Sequence, residues 1–217
     1  MKGVMMNIRR GSYAAISATA RAVGFALVVI ALLNGCSIGT KVTRVDTGLV
    51  TDFSGRWNDT DSRMVAEAMV KDALTYPWLD NYTRAKGRQP VVVVGTIVNR
   101  SHEHINTQTF VTDLARELTN SQKLSFVTGK GEREEVREER REQAVHAREE
   151  TQKSAGKEIG ADYMMKGNIS TILDEADGVK AVFYQVDLEM VDLESNLKTW
   201  YGQKKIKKVV ERKRTLF

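Results

Sequence analysis

Side chains that commonly carry catalysis or bind metals are scarce in this sequence of 217 residues, which contains three histidines and one cysteine. His102 and His104 stand two positions apart, so on an extended chain both imidazoles would point to the same side, but zinc requires more than two ligands. The aspartates of NDTDS, residues 58–62, lack the glycine and distal glutamate of a calcium loop, so we interpret Asp61 as a helix cap. No phosphate-binding glycine loop, nucleophile elbow or paired-carboxylate pocket can be identified in the sequence. The sequence therefore predicts a protein that is not an enzyme and that needs no metal or cofactor.

The single cysteine, Cys36, follows an apolar run at residues 22–33, AVGFALVVIALL. This run has about a dozen residues, whereas a membrane-spanning helix needs roughly 20, and basic residues precede it, as in a signal peptide. The sequence LNGC at residues 33–36 is similar to the lipobox of bacterial lipoproteins, although Asn34 replaces the usual small or apolar residue. We therefore expect residues 1–35 to be a signal peptide, cleavage after Gly35, and a lipidated Cys36 that carries fatty acyl chains such as palmitate. A short uncleaved anchor and an ordinary signal peptide with an incidental cysteine are the alternatives.

The net charge of +5 gives a misleading impression of a basic protein. Lys2, Arg9, Arg10 and Arg21 all precede Cys36, and no acidic residue occurs in that segment. Without it, basic and acidic residues are nearly balanced. The composition therefore gives no electrostatic reason to expect nucleic acid as a partner.

The first half of the mature chain shows two helices and two strands. Asp61 is a plausible N-cap for a helix over residues 62–75, and Pro77 ends its apolar pattern before the polar stretch TRAKGRQ. Residues 91–98 are nearly all valine or isoleucine, which is typical of a strand covered on both faces, and we expect it to be the central strand. A helix capped by Asn106 or Thr107 and a short strand at residues 124–128 then complete a parallel crossover.

The second half predicts one exposed helix and three antiparallel strands. Residues 132–150 are mostly Glu and Arg, and the helix is expected to continue to Gly160. Extended segments at 163–173, 182–190 and 199–210 follow, and Asp177 and Gly178 supply the first turn. The expected fold is α+β, with a mixed, mostly antiparallel sheet of about five strands packed with about four helices.

Several segments together resemble a known family. The strand VVVVGTIVN, the helix after NTQTF, and the sequences GADYMMKGNIS and FYQVDLEMVDLES are similar to those of penicillin-binding protein activator lipoproteins of the LpoB type. The resemblance runs from about residue 48 to residue 210. It implies a fold like the N-terminal domain of TolB, with residues 36–45 as a lipidated cysteine and short tether and residues 46–217 as the globular domain.

The resemblance also implies a function in the cell envelope. The protein would be a lipid-anchored regulator that binds and activates a bifunctional penicillin-binding protein, and so acts in peptidoglycan synthesis and cell shape. Because Ser37 is not Asp, similarity to enterobacterial sorting rules implies the outer membrane, on its periplasmic side. The eight residues Ser37 to Arg44 span only about 28 Å when fully extended, which favours the alternative of a structural or assembly lipoprotein that scaffolds another envelope complex. A hydrolase would need a pocket that the sequence does not reveal.

Two groups of residues are candidates for partner contact. The first is aromatic: Trp57, Trp78 and Tyr82 surround the first helix, and they would either belong to the core or anchor an interface. The second is basic: Lys204, Lys205, Lys207 and Lys208 follow one another on the last strand. These lysines would either protect the sheet edge or attract an anionic surface, including peptidoglycan.

Overall fold

A five-stranded mixed sheet organises the computed structural model, which describes residues 43–46 and 48–211. The strand order is β2-β1-β3-β4-β5; β1 is parallel to both β2 and β3, and the pairs β3–β4 and β4–β5 are antiparallel. This confirms the predicted α+β fold and its mixed sheet. The prediction that residues 91–98 form the central strand is wrong, because β3 occupies the centre and β1 has only the two-residue β2 beyond it. The strands are β1 (Val91–Arg100), β2 (Ser125–Phe126), β3 (Tyr163–Ala176), β4 (Val179–Asp192) and β5 (Lys198–Glu211).

Helices α1 (Asp59–Thr75) and α2 (Pro77–Lys86) precede the sheet. Asn58 caps α1, because its side-chain oxygen accepts the Asp61 N–H while the Asp61 carboxylate accepts the Asn58 N–H. The predicted cap was therefore three residues too late, and Asp61 is the reciprocal member of a capping box. The polar stretch TRAKGRQ is helical over its first four residues, since α2 begins at Pro77 and ends at Lys86. Proline favours the first helical position, so Pro77 both ends α1 and starts α2.

The predicted parallel crossover is confirmed. Helix α3 (Thr107–Asn120) connects β1 to β2, and the Asn106 side chain accepts the Gln108 N–H at its start. Three side chains of α3 are fully buried, Phe110, Leu114 and Leu118. They lie at the spacing of one helical stripe and pack into the core.

One face of the sheet meets α1 and α3 and forms the core. Alternate residues of β4 point into it, as expected for a strand covered on one face. Trp200 of β5 lies there too, and its Nε1 donates to Asp72 Oδ2 of α1 over 2.8 Å. The core residues of β4 and β5 are Val182, Tyr184, Val186, Leu188, Met190 and Trp200.

Helix α4 (Lys130–His146) contains no buried residue. The prediction that it continues to Gly160 is wrong, because it ends at His146 and the following segment folds back along it. Glu158 in that segment accepts hydrogen bonds from Arg137 and Arg140, at 3.0 Å from Arg137 Nε and 2.7 Å from Arg140 Nη1. These charge-assisted bonds hold the segment against the helix. Apolar packing does not, because α4 has no buried residue.

Candidate partner-binding surface

The aromatic candidates lie in or against the core. Trp78 and Tyr82 are buried, and both rings make edge contacts with Tyr163, at centroid distances of 4.9 and 5.5 Å. Trp57 is partly buried between Phe110 and Tyr184. The structure thus places these three residues as the core interpretation expects, and it leaves little of Trp78 or Tyr82 for a partner to touch.

Lys208 is also inside the protein, with a side chain that is only 8% exposed. Its Nζ lies 2.6 Å from Asp52 Oδ1, 2.6 Å from Asp61 Oδ2 and 3.0 Å from the Arg56 carbonyl oxygen. Burial alone lowers the pKa of Lys208, but the two carboxylates more than offset this effect, and the pKa lies above its usual range. Lys208 is therefore an internal ion-pair partner, separate from the other three lysines.

The contacts of Lys208 belong to a network that fixes residues 52–57 against the sheet. Tyr184 Oη donates to Glu103 Oε1 over 2.7 Å and lies 3.1 Å from the Gly55 carbonyl oxygen. Glu103 Oε2 in turn accepts the Trp57 N–H at 3.1 Å. Burial raises the pKa of Tyr184, and the hydrogen bond to Glu103 adds to that shift. The phenol thus remains a neutral donor.

Gly55 permits the close approach of this segment to β5. Its φ of +67° is strained for other residues, and an added Cβ would lie 2.3 Å from Val210 Cγ2. A glycine is therefore needed at this position for both reasons.

Phe53 emerges from this fixed segment with 95% of its surface exposed. Together with Lys207 and Val209 it lines a shallow cavity of about 360 Å³ beside the end of β5. Lys205 lies two residues before Lys207 and therefore on the same face of the strand, opposite Gln185. Lys205 does not line the cavity, and its Nζ lies 6.0 Å from the centroid of the Phe183 ring. We refer to Phe53, Lys207 and Val209 as the Phe53 surface.

The four consecutive lysine positions do not form one patch. Side chains alternate along a strand, so Lys205 and Lys207 lie on one face of β5 while Lys204 and Lys208 lie on the other. Lys204 is exposed and stands opposite Val186. Of these four lysines, Lys207 contributes to the Phe53 surface.

Sequence reasoning did not single out Phe53. An aromatic residue in a polar segment, TDFSGRW, was a possible signal, but composition does not distinguish an exposed ring from a buried one. Only the anchoring of Asp52, Gly55 and Trp57 to distant elements shows that Phe53 is held outward on a fixed backbone.

The remaining sequence-based expectations concern chemistry and membranes. His102 Nδ1 contacts Thr171 Oγ1 at 2.8 Å, and within residues 43–46 and 48–211 no group of three or more potential metal ligands occurs. No helix in this part of the chain has the length and apolarity to cross a membrane. Gly35 and Cys36 lie outside the described residues.

A family model described as "Peptidoglycan-synthase activator LpoB" matches residues 61–206, about two thirds of the chain. The chain belongs to this family. The predicted resemblance is thereby confirmed, and the family is one of cell-envelope lipoproteins that regulate peptidoglycan synthases rather than one of enzymes. A search of curated proteins finds no match.

Solved structures of the LpoB family are among those similar to this chain. The C-terminal domain of LpoB from Salmonella enterica shares 16% identity, with a TM-score of 0.38, over 70% of this chain and 99% of that one. The NMR structure of Escherichia coli LpoB shares 14% identity, with a TM-score of 0.37, over 82% and 84%. A PelC dodecamer from Paraburkholderia phytofirmans shares 12% identity, with a TM-score of 0.34, over 55% and 73%.

Proposed function

We propose that this protein is an outer-membrane lipoprotein that binds a bifunctional penicillin-binding protein and stimulates its peptidoglycan synthesis. Membership of the LpoB family, through the match over residues 61–206, is the observation that carries this proposal. The protein acts as a regulator, because binding its partner shifts that enzyme toward an active conformation.

The Phe53 surface is the proposed contact for the synthase. An exposed aromatic ring on a fixed backbone loses little conformational entropy on binding, and aromatic residues are frequent energetic anchors of interfaces. Lys207 lines the cavity beside it, so the complementary surface of the partner carries an acidic group.

The membrane anchor is the lipidated Cys36, formed after cleavage at Gly35. Several acyl chains contribute about 0.8 kcal/mol for each buried methylene, so anchoring is effectively permanent. The segment Ser37 to Arg44 then holds the globular domain close to the periplasmic side of the outer membrane, where peptidoglycan lies within reach. Metabolic labelling with radioactive palmitate tests this part: the wild-type chain should be labelled, and Cys36→Ala should be unlabelled and leave the membrane fraction.

A lipid II polymerisation assay tests the activator role. The chain from Ser37 onward should raise the rate of a cognate bifunctional synthase, and Phe53→Ala should lower that stimulation by about tenfold. Leu197→Ala is a matched control, since Leu197 is also an exposed apolar residue, at 66%, but lies in the turn between β4 and β5. No rate change with any cognate synthase would refute the proposed function, and equal effects of the two variants would refute the assigned surface.

Scaffolding of another envelope complex is the second candidate. The segment Ser37 to Arg44, with a reach of about 28 Å, favours a partner close to the outer membrane. Crosslinking of the native lipoprotein in cells distinguishes the two functions. Recovery of a penicillin-binding protein supports the first, and recovery of outer-membrane or secretion proteins alone supports the second.

A further inference from the structure

The face of the sheet opposite α1 and α3 carries a row of polar side chains. Residues directly opposite each other in antiparallel strands share a face, and Asn168, Asp187 and Gln203 are opposite one another across β3, β4 and β5. Lys166, Glu189 and Tyr201 form the next row. The polar rows thus extend across three strands rather than lying at one exposed edge.

All members of these rows except Gln203 line a groove of about 300 Å³ whose floor is built on strands. Its wall on the β1 side is contributed by Thr96, Val98 and Arg100. Val98 and Tyr201 are each close to half exposed, so the groove is open to solvent. Its volume is at the lower end of the range of small-ligand sites.

Asp187 holds the groove in a fixed arrangement. Its carboxylate accepts hydrogen bonds from Gln185 Nε2, at 2.9 Å, and from Gln203 Nε2, at 2.8 Å. Burial alone raises the pKa of Asp187, but these bonds and others from Tyr201 and Asn168 outweigh burial and lower it. The Tyr201 ring in the next row is 56% exposed. The groove therefore presents an exposed aromatic ring beside amides that hydrogen bonds hold in place.

Two cations border the groove. The Arg100 side chain is exposed and has no hydrogen-bond or ion-pair partner among the residues that the structure describes. Lys166 Nζ lies 3.4 Å from Glu189 Oε1, while Lys198 Nζ contacts the other oxygen of that carboxylate at 2.5 Å. Within the described part of the chain, Arg100 is thus the cation of the groove without a partner, since Lys166 and Lys198 both pair with Glu189.

We propose that this groove binds the glycan strand of peptidoglycan. The choice of peptidoglycan, rather than another glycan, rests on the proposed function. The apolar C–H face of a pyranose ring packs against the Tyr201 ring, and the Asn168 amide hydrogen-bonds to sugar hydroxyl or acetamido groups. The Arg100 guanidinium pairs with a carboxylate of the lactyl or peptide substituents. A polyphosphate is disfavoured, because the carboxylates of Asp187 and Glu189 lie in the same groove.

The groove is separate from the Phe53 surface. Tyr201 and Val209 lie on the same face of β5 but eight positions apart, which corresponds to about 26 Å along a strand. Substitutions can therefore affect one site and leave the other unchanged.

Co-sedimentation of the full-length chain in detergent with purified sacculi tests the proposal. The wild-type chain should sediment, and Tyr201→Ala should lower the affinity by about tenfold. Tyr76→Ala is the matched control, because Tyr76 is 50% exposed but lies at the junction of α1 and α2. Failure of the wild type to sediment, or equal sedimentation of the Tyr201 and Tyr76 variants, would overturn the assignment.

A second comparison tests the role of Arg100. Arg100→Ala should weaken binding to soluble glycan strands that carry carboxylates, and it should not change binding to neutral N-acetylglucosamine oligomers. An equal effect on both ligands would overturn the proposed contact.

The two functions fail independently. Tyr201→Ala should retain stimulation of the synthase, and Phe53→Ala should retain binding to sacculi. If sacculi are not bound while stimulation persists, the groove assignment is wrong and the proposed function stands.

Discussion

Replacement of Lys208 by methionine tests whether the internal ion pair holds the N-terminal segment to the sheet. Methionine keeps most of the aliphatic length of lysine but removes the ammonium. Asp61, whose side chain is 3% exposed, then loses its cation, while Asp52 is 44% exposed and can be solvated. The cost should therefore come mainly from Asp61.

The expected loss is about 3–5 kcal/mol of unfolding free energy, because removing one partner of a buried pair leaves an uncompensated charge. This is a large fraction of the roughly 5–15 kcal/mol that stabilises a typical domain. Burial already raises the pKa of Asp61, and removal of the ammonium raises it further. The variant can thus protonate Asp61 at low pH, and the loss should be smaller near about pH 5 than near about pH 8.

Urea unfolding of the wild type and of Lys208→Met, followed by circular dichroism, measures this loss. Lys205→Met is the matched control, since Lys205 lies on the same strand but is exposed, and it should change the stability by no more than about 0.5 kcal/mol. Adding Asp61→Asn to Lys208→Met should restore part of the loss. The reasoning is refuted if Lys208→Met and Lys205→Met have the same stability, or if the double variant is no more stable than the single one.

Three further predictions follow from other parts of the molecule. Gly167→Ala should destabilise the domain by about 2 kcal/mol or more, because the added Cβ would lie 2.0 Å from the Asp187 carbonyl oxygen. Gly160→Ala is the control: its added Cβ would have no atom within 4 Å, so it should be nearly neutral in the same urea assay. Burial alone raises the pKa of Asp162, but the hydrogen bonds from Arg88 and the Val91 N–H outweigh burial and lower that pKa. Because the folded state favours the ionised carboxylate, the unfolding free energy should decrease as the pH falls below about 4. Asp162→Asn should weaken that pH dependence, and an unchanged slope would contradict the assignment. Insertion of about 20 Gly and Ser residues after Thr40 should increase synthase stimulation in cells, because a longer tether extends the reach, and an unchanged level would favour a partner at the outer membrane.

Much of the sheet could be predicted from the sequence because its signals are local. Alternation of apolar and polar residues at 182–190 identified β4, and Asp177 and Gly178 identified the turn before it, where both adopt positive φ values of 51° and 82°. The crossover through α3 was equally clear, since its apolar stripe and its cap lie within one short segment. The same sequence features supported the family resemblance.

Helix ends were less predictable where no apolar face marks them. The charged pattern of α4 continues past His146, but the helix stops there and Glu158 returns to pair with Arg137 and Arg140. Helix propensity alone does not decide between an exposed helix and a chain that folds back. The contacts of Glu158 with Arg140 and Arg137, which lie 18 and 21 residues earlier, decide for the chain that folds back.

The sequence by itself determined most of the strands and the family, and it predicts the lipobox with Cys36. Only the tertiary structure decided that Lys208 is internal while Lys205 and Lys207 are exposed, and that Phe53 points outward. The physical reason is that lysines on one strand look alike until their partners are known. The partner of Lys208 is Asp61, 147 residues earlier, and no local pattern links the two.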